Sequence, residues 1–247
     1  MYFERIPSVK ELKQLEDGEF TIKLNYIPNE NEYKRLEGVF NAHMFFDLAF
    51  VPVGEEFVNF ENVPPTVDGM EVFLDHPLTD AELHTLKTIE RLVTDSNLHI
   101  HILTTYVPDY EERKRYRRYG FIHPPYFIFL LSFVPDFETR GNLAKVVPPP
   151  NVLLLLDYVP TEKEVAECER IRPKPRIGIL FNHLPSKDDY KRIQDMISSI
   201  STIVYLDIGR DTSEEEVEDM KELGIPFEVV LNRSEAELSL LSILTDD

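Results

Sequence analysis

Nine short apolar runs end at nearly constant intervals, and no other property of the chain restricts its fold so closely. The residues that close them are Asn25, Ala49, Asp75, Thr105, Ser132, Asp157, Asn182, Asp207 and Asn232, at spacings of 24, 26, 30, 27, 25, 25, 25 and 25. A weaker copy opens the chain, where Arg5-Ile-Pro-Ser8 precedes Val9-Lys-Glu11. Short apolar runs leading into turn residues are the mark of parallel strands, and a period of this length is the mark of a supersecondary unit repeated along the chain.

The segments between the runs are periodic as well. A capping residue with an acidic residue three positions later recurs as Asn29 with Glu32, Thr79 with Glu82, Asp109 with Glu112, Thr161 with Glu164 and Ser186 with Asp189. Thr212 with Glu215 and Ser234 with Glu237 continue the pattern at slightly different offsets. In such a box the capping oxygen takes a free amide of the first helical turn while the acid returns to the capping amide. Pro28, Pro108, Pro160 and Pro185 stand just before caps, where a fixed φ ends the strand. The spacing of Tyr190, Ile193, Ile197 and Ile200 gives one apolar helical stripe. Each repeat therefore reads as one strand and one helix. The segments 53–69 and 136–151, with paired or triple prolines and no helical period, read as loops or one-turn helices.

Side chains alternate across a strand, so each run sorts into two faces. Positions one, three and five before the tip are apolar in almost every copy, as in Leu24, Ile22 and Phe20 or Leu156, Leu154 and Val152; Thr104 and Thr202 depart. The other face is mixed. Lys23, Asp47, Glu71, His101 and Glu228 share it with Leu153, Leu155, Leu130, Ile128 and Tyr205. These patterns imply an α/β fold of repeated βα units on a mainly parallel sheet, as a single domain over 1–247. A TIM-like (β/α) barrel, greasy outside against helices and chemically varied inside, explains the asymmetry best.

Two alternatives stand beside the barrel, an open βα horseshoe and a doubly wound sheet. In its period and its Asn-like tip residue the chain resembles the leucine-rich repeat family, which implies the horseshoe. It departs from that family in placing Leu24, Leu48, Leu74, Leu131, Leu156, Leu206 or Leu231 immediately before the tip. A horseshoe would moreover expose Leu153, Leu155, Ile128, Leu130, Leu180 and Ile203 as one apolar patch.

Composition narrows the chemistry. A formal charge of −19 opposes general nucleic-acid binding and association with anionic membranes. The single cysteine, Cys168, lies in a helical stripe with Val165 and Ile171 and reads as a core thiol. The start has neither a basic region nor a long apolar run, and no segment approaches the roughly 20 apolar residues of a membrane span, so a cytoplasmic chain is expected. Nine glycines form no dinucleotide fingerprint, no phosphate loop and no nucleophile elbow.

There remains a set of acids and histidines. Glu71, Asp75, Asp157, Asp207 and Glu228 fall on the mixed face, where neighbouring carboxylates would divide the roles of acid and base. His99 and His101, two apart on one strand, would present two imidazoles to a divalent metal ion. Since small polar tips bond turn amides in most repeats, the better clues are residues the repeat does not require: Lys23, Asp47, Glu71, His101, Glu228 and Arg233. Arg113, Arg115 and Arg117, in a basic helix, would contact a phosphate or an acidic partner, or form a solvated face. Two functions are compatible with these residues: a hydrolase with an acid and histidine site at the barrel mouth acting on a small molecule, or a non-catalytic βα-repeat scaffold for a protein partner.

Overall fold

The computed structural model describes residues 2–14, 19–36, 42–54, 57–58, 67–92, 99–181, 185–197, 200–207 and 227–242. The capping pair Thr212 and Glu215 and the tip Asn182 lie outside them. Ten parallel strands form a sheet whose spatial order is the chain order. They are β1 (Tyr2–Phe3), β2 (Phe20–Leu24), β3 (Ala42–Leu48), β4 (Val67–Leu74), β5 (His99–Thr104), β6 (Tyr126–Leu131), β7 (Asn151–Leu156), β8 (Arg176–Phe181), β9 (Thr202–Asp207) and β10 (Phe227–Val230). The expected α/β class is thus the observed one. Sequential order is common to βα barrels and βα horseshoes; a doubly wound sheet reverses its order at a switch point and is excluded. By compactness the chain divides into a first unit, 1–104 with 108–127, and a second, 105–107 with 128–247.

The helices begin where the capping boxes place them. Described helices are α1 (Val9–Gln14), α2 (Glu30–Tyr33), α3 (Asp80–Leu92), α4 (Tyr110–Arg118), α5 (Phe137–Leu143), α6 (Glu162–Cys168), α7 (Lys187–Ile197) and α8 (Arg233–Ser242). Asn29, Asp109 and Thr161 each accept the amide three residues on, while the acid there accepts the capping amide. Ser8 with Glu11, Thr79 with Glu82 and Ser186 with Asp189 repeat the arrangement. Two corrections concern the least regular copies. Segment 136–151 contains α5, capped by Asp136 onto the Thr139 amide at 2.8 Å; the residue closing the box is Thr rather than Glu, which hid it. The last cap is Asn232 onto Glu235, not Ser234 onto Glu237, because α8 starts only two residues beyond β10. A third correction belongs to segment 53–69, whose last three residues are already in β4.

Arginines add a tie that the repeat pattern did not reveal. Arg113 donates to the Pro108 carbonyl at 2.6 Å and Arg140 to the Pro135 carbonyl at 2.9 Å, each five residues back across the turn. Arg115 reaches the Leu78 carbonyl and Arg192 the Val159 carbonyl, each in the preceding repeat. Turn carbonyls that neither strand nor helix can satisfy are met in this way.

In the first unit only one strand face is buried. Leu24, Met44, Phe46, Leu48, Val72 and Leu74 are at most 1% exposed, whereas burial alternates strictly along β3. In the second unit both faces are buried along most of β6, β7 and β8. The cover is α8. It contacts β7, β8, β9 and β10, and Ala236 and Leu240 are fully buried. A side chain at Gly178 would meet Leu155 at 2.9 Å, Tyr205 at 2.9 Å and Leu240 at 3.3 Å, so the missing Cβ is the space into which helix and sheet close. Leu153, Leu155 and Leu180, whose expected exposure told against an open fold, are buried. Because α8 takes this side, the outer face of β10 is left with Val229 and Leu231 exposed, against the expectation that this face is covered in every copy.

Gly178→Ala is expected to cost about 1–3 kcal/mol by overpacking, and Leu240→Ala about 2–5 kcal/mol through the cavity it leaves. The double variant should lose less than the two together, since they share one contact. Urea unfolding of the four proteins checks this; strict additivity would mean that α8 does not close over Gly178.

Candidate functional site

The first unit leaves its second strand face in solvent. Backbone register sets Lys23, Phe45, Gly69 and His99 in one row across β2 to β5, and Asp47, Glu71 and His101 in the next. An open cavity of about 490 Å³ lies on this face, bordered by Lys23, Phe45, Asp68, Glu71, His101 and Tyr126 among others. Its floor is shaped by a β-bulge. Met44 pairs with Val67 but Phe45 pairs with Gly69, so Asp68 is the extra residue, and both Asp68 and Gly69 turn toward the open side. Asp68 compensates for the broken ladder by accepting the Met44 amide at 3.0 Å. The Phe45 ring lies over Gly69, 3.0 Å from where a Cβ would stand, so a side chain there would have to push the ring aside.

Charges on this face are interlocked. Lys23 Nζ lies 3.2 Å from Asp47 and 3.7 Å from Glu71, His101 Nδ1 lies 3.8 Å from Glu71, and His43 Nδ1 lies 3.5 Å from Asp68. Burial alone would lower the Lys23 ammonium; Asp47 and then Glu71 outweigh it and raise it. His101 is the main influence on Glu71, and with Lys23 it holds that carboxyl below its ordinary value against partial burial. The His101 ring meets Tyr126 edge-on, centroids 5.9 Å apart. A carboxylate, an imidazole and an ammonium held together in this way can bind a polar ligand or, through the imidazole, take a proton from water.

Of the residues that depart from the repeat, Lys23, Asp47, Glu71 and His101 are the four that this face brings together. Glu228 and Arg233 belong to the second unit, where they fasten α8: Ser239 donates to Glu228 at 2.6 Å, and Arg233 meets Glu237 at 2.9 Å and the Leu155 carbonyl at 3.3 Å. Asp157 follows the last residue of β7 and Asp207 is the last residue of β9, both in that same unit. Asp75 lies past the end of β4, its Oδ1 at 3.0 Å from His76 Nδ1. His99 and His101 do share a face, but among the described residues no three His, Cys, Asp or Glu side chains gather as ligands for a metal ion. Sequence reasoning missed His43, Asp68 and Gly69; the signal was the break in alternation at Asp68 and Gly69, which strict period-two sorting passed over.

Of the three arginines Arg113, Arg115 and Arg117, the fold engages the first two, while Arg117 is exposed, as a solvated face requires. Arg113, read as solvated or partner-facing, is buried on the Pro108 carbonyl, and Arg115 spans the Leu78 carbonyl and Asp80. Cys168 is fully buried, and burial, followed by Glu164, pushes its thiol up to about 12, as suits a core residue. No helix among the described residues is long and apolar enough to cross a membrane.

Neither a family model nor a curated protein matches the chain. Among solved structures it is similar to a "putative glycerophosphodiester phosphodiesterase" from Galdieria sulphuraria, at 12% identity and a TM-score of 0.33, over 90% of this chain and 97% of that one. A likeness of that degree transfers neither fold nor activity.

Around Asp75 the geometry yields a pH dependence. His76 lies 3.0 Å from both Asp75 and the capping carboxylate Glu82, and these two bonds, Asp75 first, raise its imidazole. His76 in turn lowers Asp75. Burial would raise Glu82, but the Thr79 bonds and then His76 lower it on balance. The raised imidazole stabilises the fold below its ordinary 6.5 and ceases to do so as pH rises through its folded value. The lowered carboxyl of Glu82 stabilises above its ordinary 4.5 and fails as pH falls through its folded value. Both contributions are complete between those two ordinary values. The melting-temperature gap between wild type and His76→Gln should therefore be widest there and narrow in alkaline buffer, and a gap independent of pH would contradict the assignment.

Proposed function

We propose that the chain is a βα-repeat recognition module whose open face in the first unit binds another polypeptide. One observation carries the reading. The second unit's inner face is filled by the chain's own α8, whereas in the first unit Phe45, Phe73 and Tyr126 stand 37%, 40% and 46% exposed beside the Lys23, Glu71 and His101 network. Aromatic anchors among satisfied charges are the composition of a recognition surface. Of the arginines that the sequence suggests for partner contact, Arg113 and Arg115 are engaged inside the unit, which favours a partner surface on the strands rather than on α4. A polypeptide retained by the immobilised chain should be lost with Phe73→Asp and kept with Phe137→Asp, which changes an equally conspicuous side chain, 85% exposed, in the second unit. Equal retention by both variants would refute the reading.

A hydrolytic reading rests on a different observation, the Glu71–His101 pair at 3.8 Å beside an open cavity. With the carboxylate beside the ring, the imidazole would deprotonate a water that attacks an ester of a small substrate, the bond to the alcohol would break, and the imidazolium would return the proton to the departing alkoxide. General-base catalysis of this kind contributes about 10²–10⁴-fold. Turnover of 4-nitrophenyl acetate or bis(4-nitrophenyl) phosphate should fall by that factor in His101→Ala; equal rates would dispose of it.

A further inference from the structure

We propose that the open face of the first unit selects a polypeptide segment through a basic side chain, whose cationic head seats beside Phe45 and Tyr126 against Asp68 and Glu71. This deepens the recognition reading and rests on it. The ionisable groups facing the cavity come from every strand around it: Lys23 on β2, His43 and Asp47 on β3, Asp68 and Glu71 on β4, His99 and His101 on β5, and Tyr126 on β6. Three carboxylates, Asp47, Asp68 and Glu71, share this face with one ammonium, Lys23, which is already held by Asp47 at 3.2 Å. An anionic ligand would have to displace Asp47 from that ammonium first.

The carboxylates, by contrast, keep acceptor capacity. Asp68 meets both the Met44 amide and His43 with the same oxygen, Oδ2, leaving Oδ1 without a hydrogen bond or ion pair among the described residues. Glu71 lies 3.7 Å from Lys23 and 3.8 Å from His101, both longer than a hydrogen bond, so each of its oxygens can still accept one. Carboxylate oxygens beside exposed aromatic rings suit a guanidinium or ammonium, which takes charge-assisted bonds at its edge and ring contacts at its face.

The test uses three acetylated alanine heptapeptides with a central arginine, citrulline or glutamate, titrated into the full chain while backbone amide shifts are followed by NMR. The arginine peptide should give saturable shifts at residues 69–71, 99–101 and 126. Citrulline, equal in shape but uncharged, and glutamate should give none. Glu71→Gln should weaken arginine binding about tenfold, the value of one charge-assisted bond, and Asp68→Asn, which can still accept the Met44 amide, should do likewise with the fold intact. Saturable shifts at the same residues with citrulline or glutamate would overturn the choice of a cation while leaving the recognition reading in place. Shifts with none of the three, in a chain that still retains a polypeptide through Phe73, would overturn the cation alone; shifts with none and no such retention would remove both.

Discussion

The return of a carboxylate to the amide of its own capping residue is the contact on which this architecture depends. Glu11, Glu32, Glu82, Glu112, Glu164 and Asp189 all make it. A parallel sheet requires the chain to leave each strand, form a helix and come back in the same direction, and the sharp entry to that helix strands several amides. Closing the turn locally means the crossover does not have to draw on tertiary contacts for its start. Arg113, Arg140 and Arg192 then use the carbonyls left on the other side of the turn, and Arg192 carries the tie from one repeat to the preceding one.

That contact is also why so much of the fold could be read from residues alone. A cap with an acid three positions later is local chemistry, and local chemistry survives whatever the surroundings. Apolar positions at −1, −3 and −5 from the tip are nearly as safe, because a face buried in most copies favours apolar side chains, β10 with exposed Val229 being the exception. Reading failed where the decisive partner is remote in sequence. Nothing near Leu153 or Leu155 announces that α8, some 80 residues later, will cover them. Gly178 did carry the trace, being the one glycine among bulky neighbours on that face, but a glycine in a strand has several explanations.

The candidate site divides in the same manner. Lys23, Asp47, Glu71 and His101 were conspicuous because each breaks a slot that other repeats fill with apolar residues. Their convergence comes from the adjacency of β2 to β5, which the period implies. Asp68 and Gly69 were not conspicuous, since the bulge shifts parity by one residue, and the break in alternation became a site feature only with the paired backbone register. Asp75, Asp157 and Asp207 looked equivalent to Glu71 in sequence but differ in place: Asp75 and Asp157 follow the last residue of β4 and β7 and Asp207 is the last of β9, while Glu71 lies within β4 on the open face.

Charge explains why the two faces met different fates. Leu153, Leu155 and Leu180 gain by leaving water, so a helix with Ala236 and Leu240 on one side settles over them, its approach eased by Gly178. The same helix laid over Lys23, Asp47 and Glu71 would have to strip water from three charges that hold one another at 3.2 and 3.7 Å, and desolvation exceeds what such pairs return in a dry interior. The first face is therefore closed to an apolar helix of the chain's own kind. Under the recognition reading, an occupant would have to bring hydrogen bonds and charge to replace the water it displaces, a requirement set by Lys23, Asp68 and Glu71 rather than by shape.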